Sequence, residues 1–427
     1  MNEQQIRALV AVSEDKNVFI SGQAGTGKSF TLKHIIKYLK QNNKKFAITA
    51  STGCAAVLIN GQTIHSYLGI GINNTNLDKI YKEIKTKKIK YNKLFELQVI
   101  IIDEISMIDD TTFDFINELL CLIKGDKRPF GGIQMILVGD FCQLPPVKGN
   151  YCFNSKIWKS MSLETIHLTE LMRQKDDIEF QEILQEIRFG KCSKKTFNRL
   201  LQLENTTFDN IRPTKLYSLN TDVKKINDYE FNKLCKKNTG KNIKEATIIQ
   251  CFPDTNDIMM CNESFDDNEC IIRYNALSND KYTKLDDYTI DLIKGLQVMI
   301  TRNINFDTGL VNGTLGTIIG LNRNTVSIID MHKKTHTISY HTDTNNNNKT
   351  HVNFMPIKLA YALSIHKSQG TTLEAIEVDG STYIFASGQL YTALSRAKNL
   401  SSIRLLNLDK DSFMCNKEVK NLYSNIE

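Results

Sequence analysis

The sequence predicts an α/β protein of more than one domain, on three observations. Short apolar runs at Val18–Ser21, Phe46–Ala50, Val99–Ile102 and Met135–Val138 alternate with stretches of helical spacing, the pattern of a doubly wound parallel sheet. A second α/β pattern begins after Ile166 and resumes after Pro356. Between about Phe231 and Val352, short alternating runs separated by Gly and Asn turns predict a β-rich module inserted into that second region. The expected domains are therefore 1–165 and 166–427, the second interrupted at about 231–352.

Size and composition agree with this division. A chain of 427 residues exceeds the ~250–300 residues at which one hydrophobic core stops growing. Hydrophobic content of 41% and charged content of 24% are those of an ordinary globular protein. No apolar run approaches the ~18–20 residues of a membrane span, and Met1 to Gln5 lacks the basic-then-apolar start of a signal peptide. The expected location is thus intracellular, with no membrane partner. Ten cysteines without a Cys-x-x-Cys pair fit reduced thiols, and Cys251, Cys261 and Cys270 are spaced too loosely for a zinc ribbon. The net charge of +7 is a weak pointer to an anionic partner. Seven lysines between Lys79 and Lys93, interleaved with Tyr81 and Tyr91, suit a polyanion and equally a solvated helical face.

The elements carry chemistry in chain order. Val18 to Ile20 predicts a strand and Phe30 to Leu39 a helix, and between them lies Gly22-Gln23-Ala24-Gly25-Thr26-Gly27-Lys28-Ser29. Strand, Gly-rich turn and helix in this order form a phosphate-binding P-loop, whose backbone N–H groups and helix dipole face an anion. Lys28 can reach the β/γ-phosphates of a bound nucleoside triphosphate, and the Ser29 hydroxyl can ligate Mg²⁺. The strand Val99–Ile102 ends in Asp103-Glu104. The first carboxylate is placed to hold the metal and the second to act as general base on water. The strand Met135–Val138 leads into Gly139-Asp140-Phe141-Cys142-Gln143-Leu144-Pro145-Pro146. Gln143 has the amide chemistry to orient that water, and Asp140 is a second candidate carboxylate near the metal.

The remaining candidates are Arg173 and Arg396 in the second region, and polar segments in both regions. An arginine can stabilise charge developing on a γ-phosphate. Thr49, Ser51 and Thr52 follow a strand; His65 lies in Thr63-Ile64-His65-Ser66, and His366, Lys367 and Thr371 lie in Ser364 to Thr371. Small hydroxyls, imidazoles and a lysine at strand ends fit phosphate contacts to a nucleic-acid strand, and fit polar loops that satisfy a core equally well. A helix is expected near Leu359–His366, a strand at Ala375–Val378 and a helix near Ala386–Lys398.

Taken together these segments resemble the Pif-type (petite integration frequency) DNA helicases of superfamily 1B, relatives of the RecD-like helicases. Gly22–Ser29 resembles that family's motif I, Thr49–Ala56 with Thr63–Ser66 its Ia region, and Asp103–Met107 its motif II. Pro129–Val147 is similar to motif III and its approach, and Leu171–Gln174 to motif IV. Gly309–Gly313, Ser364–Thr371 and Tyr391–Ala397 complete the set, in order, up to about Asp409. The resemblance implies two RecA-like lobes, an ATP·Mg²⁺ site, and movement 5′ to 3′ along single-stranded DNA. It implies that Gln5 reads the adenine edge, that Arg173 and Arg396 are second-lobe γ-phosphate arginines, and that Asn312 contacts DNA. It also implies that 67–97 is a small wedge insertion and that the β-rich module is SH3-like.

The expected activity is that of an ATP-dependent DNA helicase in replication, repair, recombination or genome maintenance. Its expected partners are single-stranded DNA and tailed or forked duplexes, with a monomer as the working state. Two alternatives stay open on the sequence: an ATP-gated clamp that does not unwind, and RNA as the track.

Overall fold

The apolar runs become the strands of one sheet. The computed structural model describes all residues except 71–75, 209–211, 242–245, 254–269, 281–282, 303, 306–309, 311, 331, 346–349, 382 and 427. Cys261, and Gly309 and residue 311 of the segment Gly309–Gly313 given above, lie outside the described residues. Strands β1 (Asn17–Gly22), β2 (Phe46–Ala50), β3 (Gln62–Thr63), β4 (Val99–Asp103), β5 (Gln134–Gly139) and β6 (Leu163–Leu168) pair in the order β3-β2-β4-β5-β1-β6. Every pair is parallel. All residues of β4 and β5 are buried, which is why these central strands read as unbroken apolar runs. β3 has two residues, and β6 is an edge strand in which Ile166 and Leu168 alone are buried. Neither carries a run long enough to be read in advance.

Helices α1 (Glu3–Ser13) and α2 (Lys28–Gln41) cover the sheet. Ala8 and Val12 of the first and Leu32 and Ile35 of the second share a core with Val18, Ile20, Ile101 and Ile136. Because the strands are parallel, their carboxyl ends lie along one edge. Residues following β1, β2, β3, β4 and β5 are thereby brought to the same side of the sheet, where ligands of such sheets bind.

Two compact units divide the chain: Met1–Gln202 with Gly380–Leu400 and Asn407–Glu427, and Leu203–Asp379 with Ser401–Leu406. The six-stranded sheet belongs to the first. The second holds a four-stranded parallel sheet made of Ala362–Ser364, Thr214–Tyr217, Ile376–Asp379 and Ile403–Leu406, in that order. It also holds a five-stranded antiparallel sheet and two three-stranded ones among the described residues. The class is the expected one, two parallel α/β sheets with a β-rich insertion. The 67–97 segment is helical where described, with helices at Leu77–Thr86 and Lys88–Phe95.

Two expectations about elements are corrected. The helix expected at Leu359–His366 is a strand, Ala362–Ser364, followed by a single short helix, Ile365–Ser368. All three strand residues are buried beside Thr214–Tyr217, and burial on both faces outweighs local helical spacing. The helix Asn220–Thr239 runs eight residues past the expected start of the β-rich module at Phe231. Phe231 and Cys235 are buried in the core that also holds Val298, Ile318, Val326 and Ile338 of that module. Among the described residues no helix is long and apolar enough to cross a membrane.

Candidate nucleotide site and nucleic-acid contacts

The P-loop leaves β1 at Gly22 and enters α2 at Lys28. Gly25 and Gly27 have φ of +95° and +85°, a region that costs any residue with a Cβ. Space forbids a Cβ as well. At Gly25 it would lie 2.6 Å from Gln174 Oε1 and 2.9 Å from Arg173 Cβ, and at Gly27 2.8 Å from Gln5 Nε2. So the loop is walled on one side by Gln5 and on the other by Arg173 and Gln174, whose segment is tied down by Met172 N–H donating to Gly25 O at 2.8 Å. These are the walls a closely held triphosphate needs.

Lys28 Nζ donates to Gly22 O at 2.6 Å and Gln23 O at 3.0 Å. Burial lowers its pKa, and Asp140, Glu104 and Asp103 oppose the shift. Asp103 Oδ1 accepts from Glu104 N–H at 2.9 Å. Burial, reinforced by the neighbouring Glu104 carboxylate, pushes the Asp103 carboxyl up to about 7. A divalent cation beside such a group would hold it ionised. Glu104 sits at φ +52°, left-handed backbone that a non-glycine residue keeps where its surroundings impose it. Gln143 is 3% exposed, and its Oε1 is buried with no hydrogen-bond partner among the described residues. An unpaired acceptor oxygen at this edge fits the O–H of an attacking water.

Arg173 and Arg396 both lie in the first compact unit, although the sequence places them in the second lobe. Arg173 donates to Ser395 O at 2.8 Å. Arg396 is 2% exposed and donates to Thr392 O at 2.9 Å and Ser395 Oγ at 2.8 Å. Burial, then the Arg396 charge, pushes Arg173 down to about 9. Two cations packed this way, with Lys28 nearby, favour an arriving polyanion. A hard-oxygen set of the Ser29 hydroxyl and Asp103 carboxylate fits Mg²⁺, which takes most of its ligands from phosphate and water. A cavity of about 680 Å³ opens at the opposite end of the sheet, lined by Asn17, Gln98 and Gln134, and touches none of these groups.

Gln5 has a second task that the sequence did not reveal. Its Oε1 accepts from Asn2 N–H at 3.1 Å while Asn2 Oδ1 accepts from Gln5 N–H at 2.9 Å, a capping box at the start of α1. The amide nitrogen is the end turned towards Gly27. Asp140 is fully buried and paired with Arg188, with NH2 at 3.2 Å from Oδ1, so its carboxylate is engaged by the protein itself. Arg188 was missed, though a signal existed: it follows Leu184 by four residues, on the apolar face of the helix Ile178–Arg188, where a charge requires a buried partner.

The nucleic-acid candidates fall in both units. Thr49 leaves the set, because it is fully buried and its hydroxyl donates to Ile101 O inside the sheet. Ser51 and Thr52 follow β2, and Thr52 Oγ1 caps the helix Gly53–Leu58 by accepting from Ala55 N–H at 3.2 Å. His65 is half-buried in the helix Ile64–Leu68, and burial lowers its pKa. In the second unit Lys367 is exposed, Asn312 and His366 are half-buried, and burial lowers the pKa of His366. Thr371 is buried, its hydroxyl donating to Ser368 O at 2.6 Å. Both histidines are thus neutral at pH 7, suited to hydrogen bonding or stacking, while Lys367 supplies charge. On the 67–97 segment Lys79, Lys82, Lys85, Lys87 and Lys88 are exposed, and Ile80 and Ile84 are buried.

Comparison with known proteins places this geometry. The chain matches the family described as PIF1-like helicase over residues 2–198, and DNA helicase Pif1, 2B domain, over residues 285–321. Over its whole length it is 33% identical to Uncharacterized protein 030L of Invertebrate iridescent virus 6, covering 94% of that protein. It is 31% identical, again over its whole length, to ATP-dependent DNA helicase PIF1 of Homo sapiens, of which it spans 64%. The solved structure of Pif1 from Bacteroides sp. in complex with ADP-AlF4 is similar with a TM-score of 0.79 at 26% identity, covering 99% of this chain and 96% of that one.

Proposed function

The chain belongs to the PIF1-like helicase family, and from that premise we propose that it is an ATP-dependent DNA helicase moving 5′ to 3′ on single-stranded DNA. The observation that carries the reading is the convergence on one sheet edge of the P-loop, Asp103, Glu104 and Gln143, with half-buried Arg173 against Gly25 and buried Arg396 beside Arg173. The human relative is by name an ATP-dependent DNA helicase, and the Bacteroides relative binds ADP-AlF4.

When bound, ATP·Mg²⁺ supplies the cleavable phosphoanhydride and the cation that neutralises its oxygens. Gly22 to Ser29 hold the phosphates, with Ser29 and Asp103 as the metal's protein ligands. Glu104 accepts the proton of a water that Gln143 orients. Arg173 and Arg396 place positive charge where negative charge grows. In this reading 1–165 and 166–427 act as RecA-like lobes. Ser51, Thr52, His65, Asn312, His366 and Lys367 are the side chains that contact the strand, and turnover is converted into movement along it.

A tailed-duplex assay tests the proposal. Strand separation is expected with a 5′ single-stranded tail and not with a 3′ tail. ATP turnover without separation from either tail would instead favour a clamp, and equal competition by single-stranded RNA would favour an RNA track.

The double duty of Gln5 gives a second expectation. Gln5→Glu keeps the oxygen that caps α1 but puts a carboxylate oxygen in place of the amide nitrogen that faces Gly27. The KM for ATP should rise about tenfold, equivalent to ~1.4 kcal/mol. The thermal midpoint should stay within about 2 °C of the parent, since the cap survives. An unchanged KM for ATP would remove Gln5 from the nucleotide site.

A further inference from the structure

The C-terminal helix Lys417–Ser424 lies outside every segment assigned so far, yet one of its side chains reaches the site. Tyr423 is fully buried, and its hydroxyl has a complete set of partners. It donates to Asp140 Oδ1 at 3.1 Å. Its oxygen accepts from Phe141 N–H at 3.1 Å and meets Ser21 Oγ at 3.0 Å. One donor and two lone pairs are all that a phenol has. Ser21 immediately precedes the P-loop, and Phe141 lies two residues before Gln143.

Tyr391 completes the arrangement. Its hydroxyl donates to Asp140 Oδ2 at 3.0 Å and accepts from Ala24 N–H, inside the P-loop, at 2.9 Å. Arg188 closes the other side of the carboxylate, and its guanidinium stacks on the Tyr423 ring at 4.4 Å. Although burial alone would raise its pKa, the Arg188 and Lys28 charges hold Asp140 below its ordinary value. The carboxylate therefore stays ionised and accepts from both phenols. Gln143 N–H donates to Asp140 O at 3.0 Å.

We infer that Tyr423 is a positioning residue for ATP hydrolysis: through Asp140 it fixes the Gln143 segment against Ser21 and the P-loop. This rests on the proposed ATPase reading. The Tyr423 hydroxyl itself touches only Asp140, Phe141 and Ser21, none of which meets the expected phosphates or adenine, so the effect falls on the chemical step and not on nucleotide affinity. Displacement of a water-orienting group by a fraction of an ångström is costly to rate, since ~1 Å costs about 10²-fold.

The test is Tyr423→Phe in the full chain. It keeps the ring stacked on Arg188 and deletes only the hydroxyl. With saturating single-stranded DNA, kcat for ATP is expected to fall about tenfold or more, with KM for ATP within about twofold. Tyr274→Phe in the second unit is the control. That tyrosine is fully buried and its hydroxyl donates to Asn322 O at 2.6 Å, so the variant also loses a buried hydrogen bond, but kcat should not change. If Tyr423→Phe does not fold, Ser21→Ala, which removes one of the three partners, should lower kcat severalfold at unchanged KM. A kcat equal to the parent's in whichever of the two folds, or an equal loss in the Tyr274→Phe control, overturns the inference while leaving the helicase reading intact. A parent chain without DNA-stimulated turnover overturns both.

Discussion

Lys28→Ala is expected to lower DNA-stimulated ATP turnover by about 10²–10³-fold or more, while the affinity for single-stranded DNA stays within about threefold. The lysine is half-buried in a loop whose walls are Gln5, Arg173 and Gln174, and removal from water already lowers its pKa. A cation kept in such a place must be compensated, and here Gly22 O, Gln23 O and three nearby carboxylates do so. A γ-phosphate is a stronger partner than either carbonyl, so the ammonium is ready to transfer to it with little reorganisation. Alanine removes that charge and leaves Asp103 and Glu104 with less to balance them. The ammonium donates to the P-loop's own carbonyls and to none of the nucleic-acid candidates Ser51, Thr52, His65, Asn312, His366 and Lys367, so the binding of DNA should be spared. Steady-state turnover and fluorescence anisotropy on a labelled single strand measure the two quantities. Turnover above about a tenth of the parent's would mean that Lys28 does not bear on the phosphates, and the P-loop reading of Gly22–Ser29 would fail with it.

How much was legible depended on whether a residue's role is local. The P-loop was readable because its turn needs glycines at fixed positions, and Gly25 and Gly27 do adopt positive φ. Asp103 and Glu104 could be placed at a strand end because the run before them is apolar throughout and follows a P-loop in the same α/β unit. The central strands β4 and β5 could be placed because burial on both faces writes itself as an apolar run. What could not be read was what depends on distant pairing. The hydroxyl of Tyr423 meets Ser21 from 402 positions away, and nothing near Tyr423 announces that. Asp140 read as a second carboxylate near the metal because it follows a strand. Its true partner, Arg188, lies 48 positions on, and only the fold brings them together. Thr49 looked like a strand-end hydroxyl free for a ligand, but its register beside β4 turns it inward to Ile101 O.

Arg173→Met should separate catalysis from stability by moving them in different degrees. Arg173 carries its charge in a half-buried place and beside Arg396, and both press its pKa down, to about 9. In the absence of an anion this arrangement is unfavourable, and a like charge removed from it relieves Arg396. Against that relief stands the hydrogen bond to Ser395 O, worth about 1 kcal/mol, or somewhat more for a charged donor. The two nearly offset, so the free energy of unfolding should change by no more than about 1 kcal/mol. Methionine keeps most of the apolar stem that packs beside Gly25, so the P-loop wall survives. Catalysis has no such compensation. An arginine that meets developing charge on a transferring phosphoryl group contributes about 10³–10⁵ to kcat, and the loss should reach the lower end of that range because Arg396 remains. Chemical denaturation measures the first quantity and single-turnover hydrolysis the second. A variant that loses stability and turnover in proportion would show that Arg173 holds the P-loop wall and does no more. A variant that keeps its fold and hydrolyses at the parent's rate would assign the γ-phosphate to Arg396 alone.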